Sequence, residues 1–483
     1  MSLAQRSITS SAYNIAANIV SVAVNFVGSI VLARLLEPEV FGVYAFVLSI
    51  VTLTQTLPNF GALGAFMRHP NASEDEEVIR THFTLVTLFS AVWAVVLGIG
   101  ALTFAPQNTR WVFGIILSTA FISQLTNTPQ AILTRRVQFR RIAILNTVNA
   151  VTATAVSIGL AWYGFGLWSL LANNIIFALL KVIVLYGIRP VWRPRFGWYP
   201  AMVRYFLGFG SKVFTGSVLG QALDRVDDVW TGAVLGDAAL GYYSRAYKFA
   251  TYPRRALAAP LNKVIAGTYA QLRDDREGLS RAFFWVNALM IRANFWFAGL
   301  LALIAPEFIR LVLGAKWLPM LDAFRLMLMY TLLDPIKLMV AFIITTSGAP
   351  ERIIRARAIQ LVVMIIGLLT LGPRWGIMGV ALAVDVMLLV GIAILYWEAR
   401  AFVDFSLWDI FAVPTVAVAL GLVIGYAAMT LPGVAGSDGV IVIVKTGSFS
   451  SVYVGVLILL ERSKALMLLD GLRQLRTGKH AIP

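Results

Sequence analysis

The chain has 483 residues, of which 59% are hydrophobic and only 13% are charged, and its mean hydropathy is +0.79. Soluble domains average about 45–50% apolar and about 25% charged residues, so this composition predicts an integral membrane protein and excludes most soluble enzyme architectures. Lys and Arg number 40 against 24 Asp and Glu, which gives a net charge of +16. Because the bases lie mainly between apolar segments, we assign this charge to membrane topology and expect no nucleic-acid partner.

Apolar stretches of roughly 20 residues, the length that crosses a bilayer core, recur along the whole chain. They predict an all-α polytopic membrane protein with about 14 transmembrane helices. The predicted spans are residues 8–34, 40–66, 79–104, 111–133, 142–163, 166–188, 206–235, 239–269, 280–304, 317–346, 353–372, 375–398, 407–430 and 440–461. Little chain remains for a soluble catalytic domain, so we expect a protein that is not an enzyme.

The loops differ strongly in positive charge. With the N-terminus inside, the inner segments hold 24 Lys and Arg and the outer turns hold 5. Positive residues are retained on the cytoplasmic side of membranes, so this bias predicts that both termini are cytoplasmic. The chain has no cysteine and three widely separated histidines, so we expect neither a metal centre nor a cofactor.

The sequence contains an internal duplication. Residues 36–44 recur 199 positions later as residues 235–243, with Leu, Gly and Tyr at matching positions. Each copy lies between the first and second span of a six-span set, which predicts two six-helix lobes related by a parallel repeat around an axis along the membrane normal. The predicted domains are an N-terminal lobe (1–188), a cytoplasmic linker (189–205), a C-terminal lobe (206–400), and a C-terminal helix pair with a basic tail (401–483).

Three segments resemble a known family: ARLLEPEVFGVY at 33–44, DRVDD at 224–228 and LGDAALGYYSRAY at 235–247. They are similar to the polysaccharide transporter family, the Wzx-type oligosaccharide flippases of the multidrug/oligosaccharidyl-lipid/polysaccharide superfamily. The resemblance covers nearly the whole chain and implies a two-lobed fold with a central cavity in a bacterial inner (cytoplasmic) membrane. Its implied substrate is undecaprenyl-pyrophosphate-linked oligosaccharide, moved from the inner to the outer leaflet for lipopolysaccharide or exopolysaccharide biosynthesis. Membrane lipids and other polysaccharide assembly proteins are its implied partners.

Ionisable side chains are concentrated in the predicted C-terminal lobe. A charge at bilayer depth costs at least ~2.5 kcal/mol, so it usually faces a cavity or a partner. Spans 7 to 12 hold ten Lys and Arg against six Asp, an excess that favours an anion such as pyrophosphate over an organic cation. The candidate substrate-binding residues are Arg225, Arg245, Lys248, Arg255, Lys263 and Arg292.

A basic stripe is predicted along span 8, where Arg245, Lys248 and Arg255 follow helical spacing towards Lys263. Guanidinium groups bind phosphate oxygens with two parallel hydrogen bonds, whereas Lys supplies a point charge. The stripe could therefore pass a pyrophosphate head group across the membrane. The alternative is that the bases at the two ends of the stripe extend to the outer and the cytoplasmic membrane–water interfaces, while the other bases pair with acids of span 7.

An acidic cluster is predicted in span 7, where Asp224 and Asp228 share one helical face and Asp227 lies beside them. With Asp385 of span 12, these carboxylates are candidates for a Na⁺ or H⁺ site coupled to transport. The alternative is structural neutralisation by Arg225 or by a base of span 8.

Two other functions remain open. A multidrug or small-solute antiporter of the same superfamily would favour a neutral or acidic cavity. A membrane glycosyltransferase or polymerase that uses lipid-linked sugars generally needs carboxylates and a sizeable outer loop, whereas the predicted outer turns are short. No G-x-x-x-x-G-K-[ST] motif is present, so we do not expect this chain to hydrolyse ATP.

Overall fold

The computed structural model describes residues 3–188, 190–252, 269, 271–272, 275–430 and 437–462, without the side chains of 3–16, 212 and 335. These described residues form helices joined by turns and short connections, and no strand occurs among them. The helices are α1 (Leu3–Leu35), α2 (Pro38–Thr54), α3 (Ala62–Arg68), α4 (Glu76–Phe104), α5 (Arg110–Leu125), α6 (Asn127–Arg135), α7 (Phe139–Trp162), α8 (Leu167–Val182), α9 (Pro200–Leu235), α10 (Asp237–Ala250), α11 (Arg276–Leu303), α12 (Ala305–Phe308), α13 (Leu321–Thr346), α14 (Pro350–Ala399), α15 (Leu407–Ala427) and α16 (Asp438–Leu460).

Contacts divide the described chain into two compact units. Unit 1 comprises Met1–Arg245 and Ile353–Met387, and unit 2 comprises Ala246–Arg352 and Leu388–Pro483. Within unit 1, α1 packs on α7, α7 on α8, and α2 on α9; within unit 2, α11 packs on α13 and α15, and α15 packs on α16. The lobes and the linker predicted from the sequence remain predictions.

Nine helical stretches of the described chain are long and apolar enough to cross a membrane. They are Ala17–Leu35, Glu76–Phe104, Phe139–Trp162, Leu167–Gly187, Arg276–Leu303, Ala315–Thr346, Pro350–Ala399, Leu407–Thr430 and Asp438–Leu460. Helix α2 is also apolar but is shorter than these. The described residues are therefore all helical or in turns and connections, and a multi-pass membrane protein is confirmed, while the number of 14 spans remains a prediction.

The stretch α14 contains two of the predicted spans. Its 50 residues would reach about 75 Å if straight, against a bilayer core of about 30 Å. Gly376 has φ 57° and ψ −137°, a conformation that glycine adopts without the penalty of a Cβ. A Cβ on Gly379 would lie 2.1 Å from the Leu371 oxygen, and one on Gly367 would lie 2.7 Å from the Cβ of Ala383. The chain therefore turns back at Gly376, and α14 is two antiparallel helices.

Two other predicted spans, 40–66 and 111–133, are interrupted. Between α2 and α3 the chain contains Pro58, which has no backbone N–H, and Gly61, whose φ is 70°. Between α5 and α6 the helix breaks at Thr126. Non-helical backbone at membrane depth is tolerated where it is buried in protein or lines a cavity, so both breaks indicate interior positions in unit 1.

The first turns of α2 and α10 make a reciprocal contact. A Cβ on Gly42 would lie 1.7 Å from the Asp237 backbone oxygen, and a Cβ on Gly241 would lie 2.0 Å from the Pro38 oxygen. Each residue is 199 positions from its counterpart in the other helix, the same offset as in the duplicated segments. Contacts in which each copy offers the same position to the other are typical of two-fold symmetry. This contact favours the predicted repeat of two lobes, which otherwise remains a prediction.

Replacing Gly42 with Ala should destabilise the protein by about 1–3 kcal/mol, the usual cost of overpacking, because the neighbouring atom is backbone and not a flexible side chain. The apparent Tm of the purified protein in detergent measures this effect. Gly447→Ala in α16 is the matched control, since nothing lies within 4 Å of its added Cβ. Equal Tm values for Gly42→Ala and the parent protein would contradict the close approach.

Candidate functional site

The middle of α9 carries four charged side chains, Asp224, Arg225, Asp227 and Asp228. Asp227 and Asp228 are only 6% and 7% exposed. In a helix, residues four apart share a face, so Asp224 and Asp228 lie one above the other. Of the acidic cluster predicted from the sequence, Asp227 and Asp228 are therefore buried in unit 1, whereas Asp224 is exposed.

Asp228 is held by two side chains. Its Oδ2 accepts hydrogen bonds from the Ser49 hydroxyl at 3.0 Å and from Nη1 of Arg225 at 3.2 Å. The second contact is also an ion pair one turn apart on α9. Arg225 thus neutralises one acid of the cluster, while Ser49 ties that acid to α2.

Asp227 has a different set of partners. Its Oδ2 accepts a hydrogen bond of 2.5 Å from the Tyr243 hydroxyl, and its backbone oxygen accepts one from Thr231. Its Oδ1 is buried without a hydrogen-bond partner among the described residues. Burying a charged oxygen without compensation is costly, so a proton or a cation at this oxygen would stabilise the site.

Asp224 interacts electrostatically with a base of α14. Arg357 of α14 donates a hydrogen bond of 2.6 Å to the Gly216 oxygen, and its charge acts on Asp224. One turn before Asp224, Gln221 donates to the Thr52 oxygen of α2 at 2.9 Å. The acidic face of α9 is therefore in contact with α2 and α14.

Arg245 is the buried base of α10. The residue is 8% exposed, its Cζ lies 4.3 Å from the centroid of the Phe41 ring, and its Nη1 lies 3.4 Å from the Ser29 hydroxyl. The charge of Arg245 also acts on Asp228. Ser29 occupies the position in α1 that corresponds, by the 199-residue offset, to Asp228 in α9. The structure thus brings Arg225, Arg245, Asp227 and Asp228 into one region of unit 1.

The rest of the predicted basic stripe is described only in part. Lys248 follows Arg245 by one helical turn and is half-buried in α10. Arg255 and Lys263 lie outside the described residues. A basic stripe that runs from Arg245 to Lys263 therefore remains a prediction.

Arg292, a predicted substrate ligand, has a carboxylate partner in unit 2. Its Nε donates to Oε2 of Glu461 at 2.7 Å, and its Nη2 donates to Oε1 of the same residue. Both residues are largely buried, and the Tyr453 hydroxyl donates to the Arg292 backbone oxygen at 2.7 Å. This geometry supports a structural role for Arg292, in which it ties α11 to the end of α16.

Asp385 is buried in the second half of α14, and its Oδ1 has no hydrogen-bond partner among the described residues. No described hydrogen bond joins Asp385 to the acids of α9.

The described part of the chain contains no group of three or more His, Cys, Asp or Glu placed to hold a metal ion. In α13, Asp334 and Lys337, three residues apart, form an ion pair at 3.1 Å.

Sequence reasoning missed the burial of Lys181. By sequence, Lys181 is counted only as one of the 24 inner Lys and Arg, yet this residue is 8% exposed, and its Nζ lies 4.5 Å from the centroid of the Phe177 ring. The signal was its position inside the predicted span 166–188. A base at that position has to be either buried or at the interface.

Comparison with known sequences finds a matching family profile and several related proteins. Residues 31–322 match the profile of a family described as "Polysaccharide biosynthesis protein". The chain is 27% identical over 308 residues to the succinoglycan biosynthesis transport protein ExoT of Rhizobium meliloti (strain 1021), a match that covers 60% of this chain and 59% of ExoT. It is 23% identical over 349 residues to the lipopolysaccharide biosynthesis protein WzxC of Escherichia coli (strain K12), covering 69% and 68% of the two chains. The chain thus spans about three fifths of ExoT and two thirds of WzxC.

Solved structures show a similar fold. The lipid II flippase MurJ in an inward closed conformation has a TM-score of 0.76 at 14% identity, over 95% of this chain and 100% of that one. An inward-facing multidrug resistance MATE family transporter of the MOP superfamily has a TM-score of 0.61 at 17% identity, over 81% and 98% of the two chains. At such identities the likeness shows the fold alone.

The Arg292–Glu461 pair leads to a test of its structural role. Arg292→Met alone should destabilise the protein by about 3–5 kcal/mol, because it leaves a buried carboxylate without its base. The double variant Arg292→Met/Glu461→Met should recover most of this loss, since no buried charge remains. Apparent Tm values in detergent measure both effects. A double variant as unstable as Arg292→Met would contradict a mainly structural pair.

Proposed function

The chain belongs to the polysaccharide biosynthesis protein family, and from this premise we propose that it is a flippase for lipid-linked oligosaccharide. The proposed substrate is undecaprenyl-pyrophosphate-linked oligosaccharide, which passes from the inner to the outer leaflet by alternating access between two lobes. The chain lies in a bacterial inner membrane with both termini in the cytoplasm. The similarity to ExoT, a transport protein, and to WzxC, a lipopolysaccharide biosynthesis protein, supports this proposal.

The observation that carries the proposal is the buried guanidinium of Arg245. An ionisable side chain in a membrane helix is costly, and such residues usually line a substrate pathway or meet a partner. The face of the Phe41 ring stabilises the guanidinium cation of Arg245. This contact does not require a hydrogen bond from an N–H group of the guanidinium. A guanidinium fits the oxygens of a pyrophosphate with parallel hydrogen bonds. We therefore assign head-group binding to Arg245, continued by Lys248 one turn later.

The lipid tail needs no binding site of comparable polarity, because it can remain in the bilayer while the head group crosses. The excess of bases over acids in spans 7 to 12 favours an anionic head group over the organic cations that an antiporter would carry. The protein acts on this substrate by transport and breaks no covalent bond of it.

The acids of α9 provide a route for energy input. Asp227 has a buried carboxylate oxygen without a described donor, and Asp228 is shared between Ser49 and Arg225. Binding of Na⁺ or H⁺ to this cluster would bias the equilibrium between inward-open and outward-open states if its affinity differs between them. We propose that the cluster couples transport to an ion gradient, with Asp385 as a second candidate ion site.

The head-group assignment is tested by flipping of fluorescently tagged undecaprenyl-pyrophosphate oligosaccharide in proteoliposomes. Arg245→Gln should slow flipping about tenfold or more, because a charge-assisted hydrogen bond contributes roughly 1.5–3 kcal/mol. Arg281→Gln is the matched control. It removes a base from an exposed ion pair with Glu277, whose contribution is small, so it should flip at the parental rate.

Arg245→Lys refines this test, since it keeps the charge but loses the bidentate geometry and should fall between Arg245→Gln and the parent. Flipping by Arg245→Gln at the parental rate would remove Arg245 from the head-group site. Export of a cationic dye by a parent protein that flips no lipid would replace the proposal with the antiporter.

The coupling assignment is tested in the same vesicles under imposed Na⁺ or proton gradients. The parent rate should respond to one of the two gradients, and Asp227→Asn should abolish that response because the amide cannot bind a proton or compensate a cation. Ser49→Ala, which removes only a neutral hydrogen bond to Asp228, is the control and should keep it. Indifference of the parent to both gradients would leave the cluster with a structural role only.

A further inference from the structure

Unit 1 contains a polar cavity of about 200 Å³ between α2, α5 and α8. It lies at the two interrupted spans, since Gln55 follows α2, while Gln124 and Asn127 flank the break between α5 and α6. Helix α8 contributes Asn174 and Lys181. An engineered cavity of about 150 Å³ admits benzene, so this volume suits one small organic ligand.

The amides at the breaks are fixed by one another. Asn59 donates to Oε1 of Gln124 at 3.3 Å, and Nε2 of Gln124 donates to the backbone oxygen of Gln55 at 3.2 Å. Asn127 donates to the side-chain oxygens of both Asn59 and Gln124. This side of the cavity is therefore preorganised, and its bonds follow from the two breaks in the helices.

Two donors at the cavity, Nζ of Lys181 and Nδ2 of Asn174, lack an acceptor among the described residues. Lys181 is the one charged side chain among the described residues that line it, and no described carboxylate lies within ion-pair distance of its Nζ. The Oδ1 of Asn174 accepts the Tyr44 hydroxyl at 3.2 Å, which leaves Nδ2 buried without an acceptor among the described residues. The N-terminus of α6, the positive end of its dipole, begins at Asn127 in the cavity lining.

We propose that this cavity is a binding site for a small carboxylate, held by Nζ of Lys181 and Nδ2 of Asn174. A carboxylate offers two oxygens and a single negative charge, which match two donors and a single cation. A phosphate dianion would bring a second charge that no base of the lining compensates. A cation is disfavoured by the fixed ammonium and by the absence of an acid among the described lining residues.

Two sources could supply the carboxylate: an acidic sugar residue of a glycan, or a free metabolite carboxylate. Both have the same chemistry at the lysine, but they differ in size and in their hydroxyl groups. The site lies among α2, α5 and α8 and does not use Arg245 or the acids of α9. It therefore stands independently of the proposed flippase activity.

The test measures equilibrium binding to the purified full-length protein in detergent by isothermal titration calorimetry. The probes are sodium glucuronate, sodium acetate and glucose, the last being a neutral sugar of similar size. We expect the parent to bind glucuronate or acetate and to bind glucose at least tenfold more weakly. Tighter binding of glucuronate identifies an acidic sugar as the source, and tighter binding of acetate identifies a free carboxylate. Equal affinities for glucuronate and glucose, or no binding of either carboxylate, would overturn the proposal.

Variants assign the binding to this cavity. Lys181→Met should raise the Kd of the preferred carboxylate about tenfold or more, the loss that corresponds to one charge-assisted hydrogen bond. The variant should fold, because it replaces a buried charge with an apolar side chain of similar length. Lys316→Met, which removes a lysine of unit 2, is the matched control and should keep the parental Kd.

A second variant keeps the test decisive if Lys181→Met is unstable. Asn174→Leu removes the other donor and should also weaken carboxylate binding. Parental Kd values in whichever of the two variants folds would overturn the proposal. Because the assay measures binding without transport, its failure would leave the assignment of Arg245 and the flippase activity untouched.

Discussion

The cost of placing charge in a bilayer is the constraint on which the rest of this structure depends. An ion brought to membrane depth needs a partner, a cavity or a shifted protonation state. Unit 2 meets this demand with ion pairs between helices: Arg292 binds Glu461, and Lys445 of α16 binds Glu307 of α12 at 3.0 Å. Removing one partner of such a pair leaves a buried charge, so these pairs specify which helices pack together.

Unit 1 meets the same demand differently, with fewer fixed pairs and more polar neighbours. Asp228 accepts hydrogen bonds from one base and one serine hydroxyl, Asp227 accepts one from a tyrosine hydroxyl, and Arg245 lies on an aromatic ring. Such arrangements hold charges in place without neutralising each one completely. Charges that are only partly compensated can respond to an arriving ion or head group, as the proposed transport site requires.

Local patterns in the sequence predicted the helical class, the family and the acidic face of α9, because hydropathy and helical spacing are properties of neighbouring residues. The division of α14 also followed from its two apolar stretches. The partner of Arg292 could not be predicted, since Glu461 lies 169 residues away and only tertiary packing brings the two together. The breaks beside Gln55 and Asn127 were missed because the chain remains largely apolar through both predicted spans, and the burial of Lys181 depends on the cavity that those breaks create.

The central claim is that the buried charges serve a lipid-linked anionic substrate and not an organic cation. Native mass spectrometry of the purified protein, offered equimolar undecaprenyl-pyrophosphate-linked oligosaccharide and ethidium, tests this choice directly. If the buried charges serve the lipid, the protein should form a one-to-one complex with it that persists when ethidium is in excess. A complex with ethidium that excludes the lipid would contradict it.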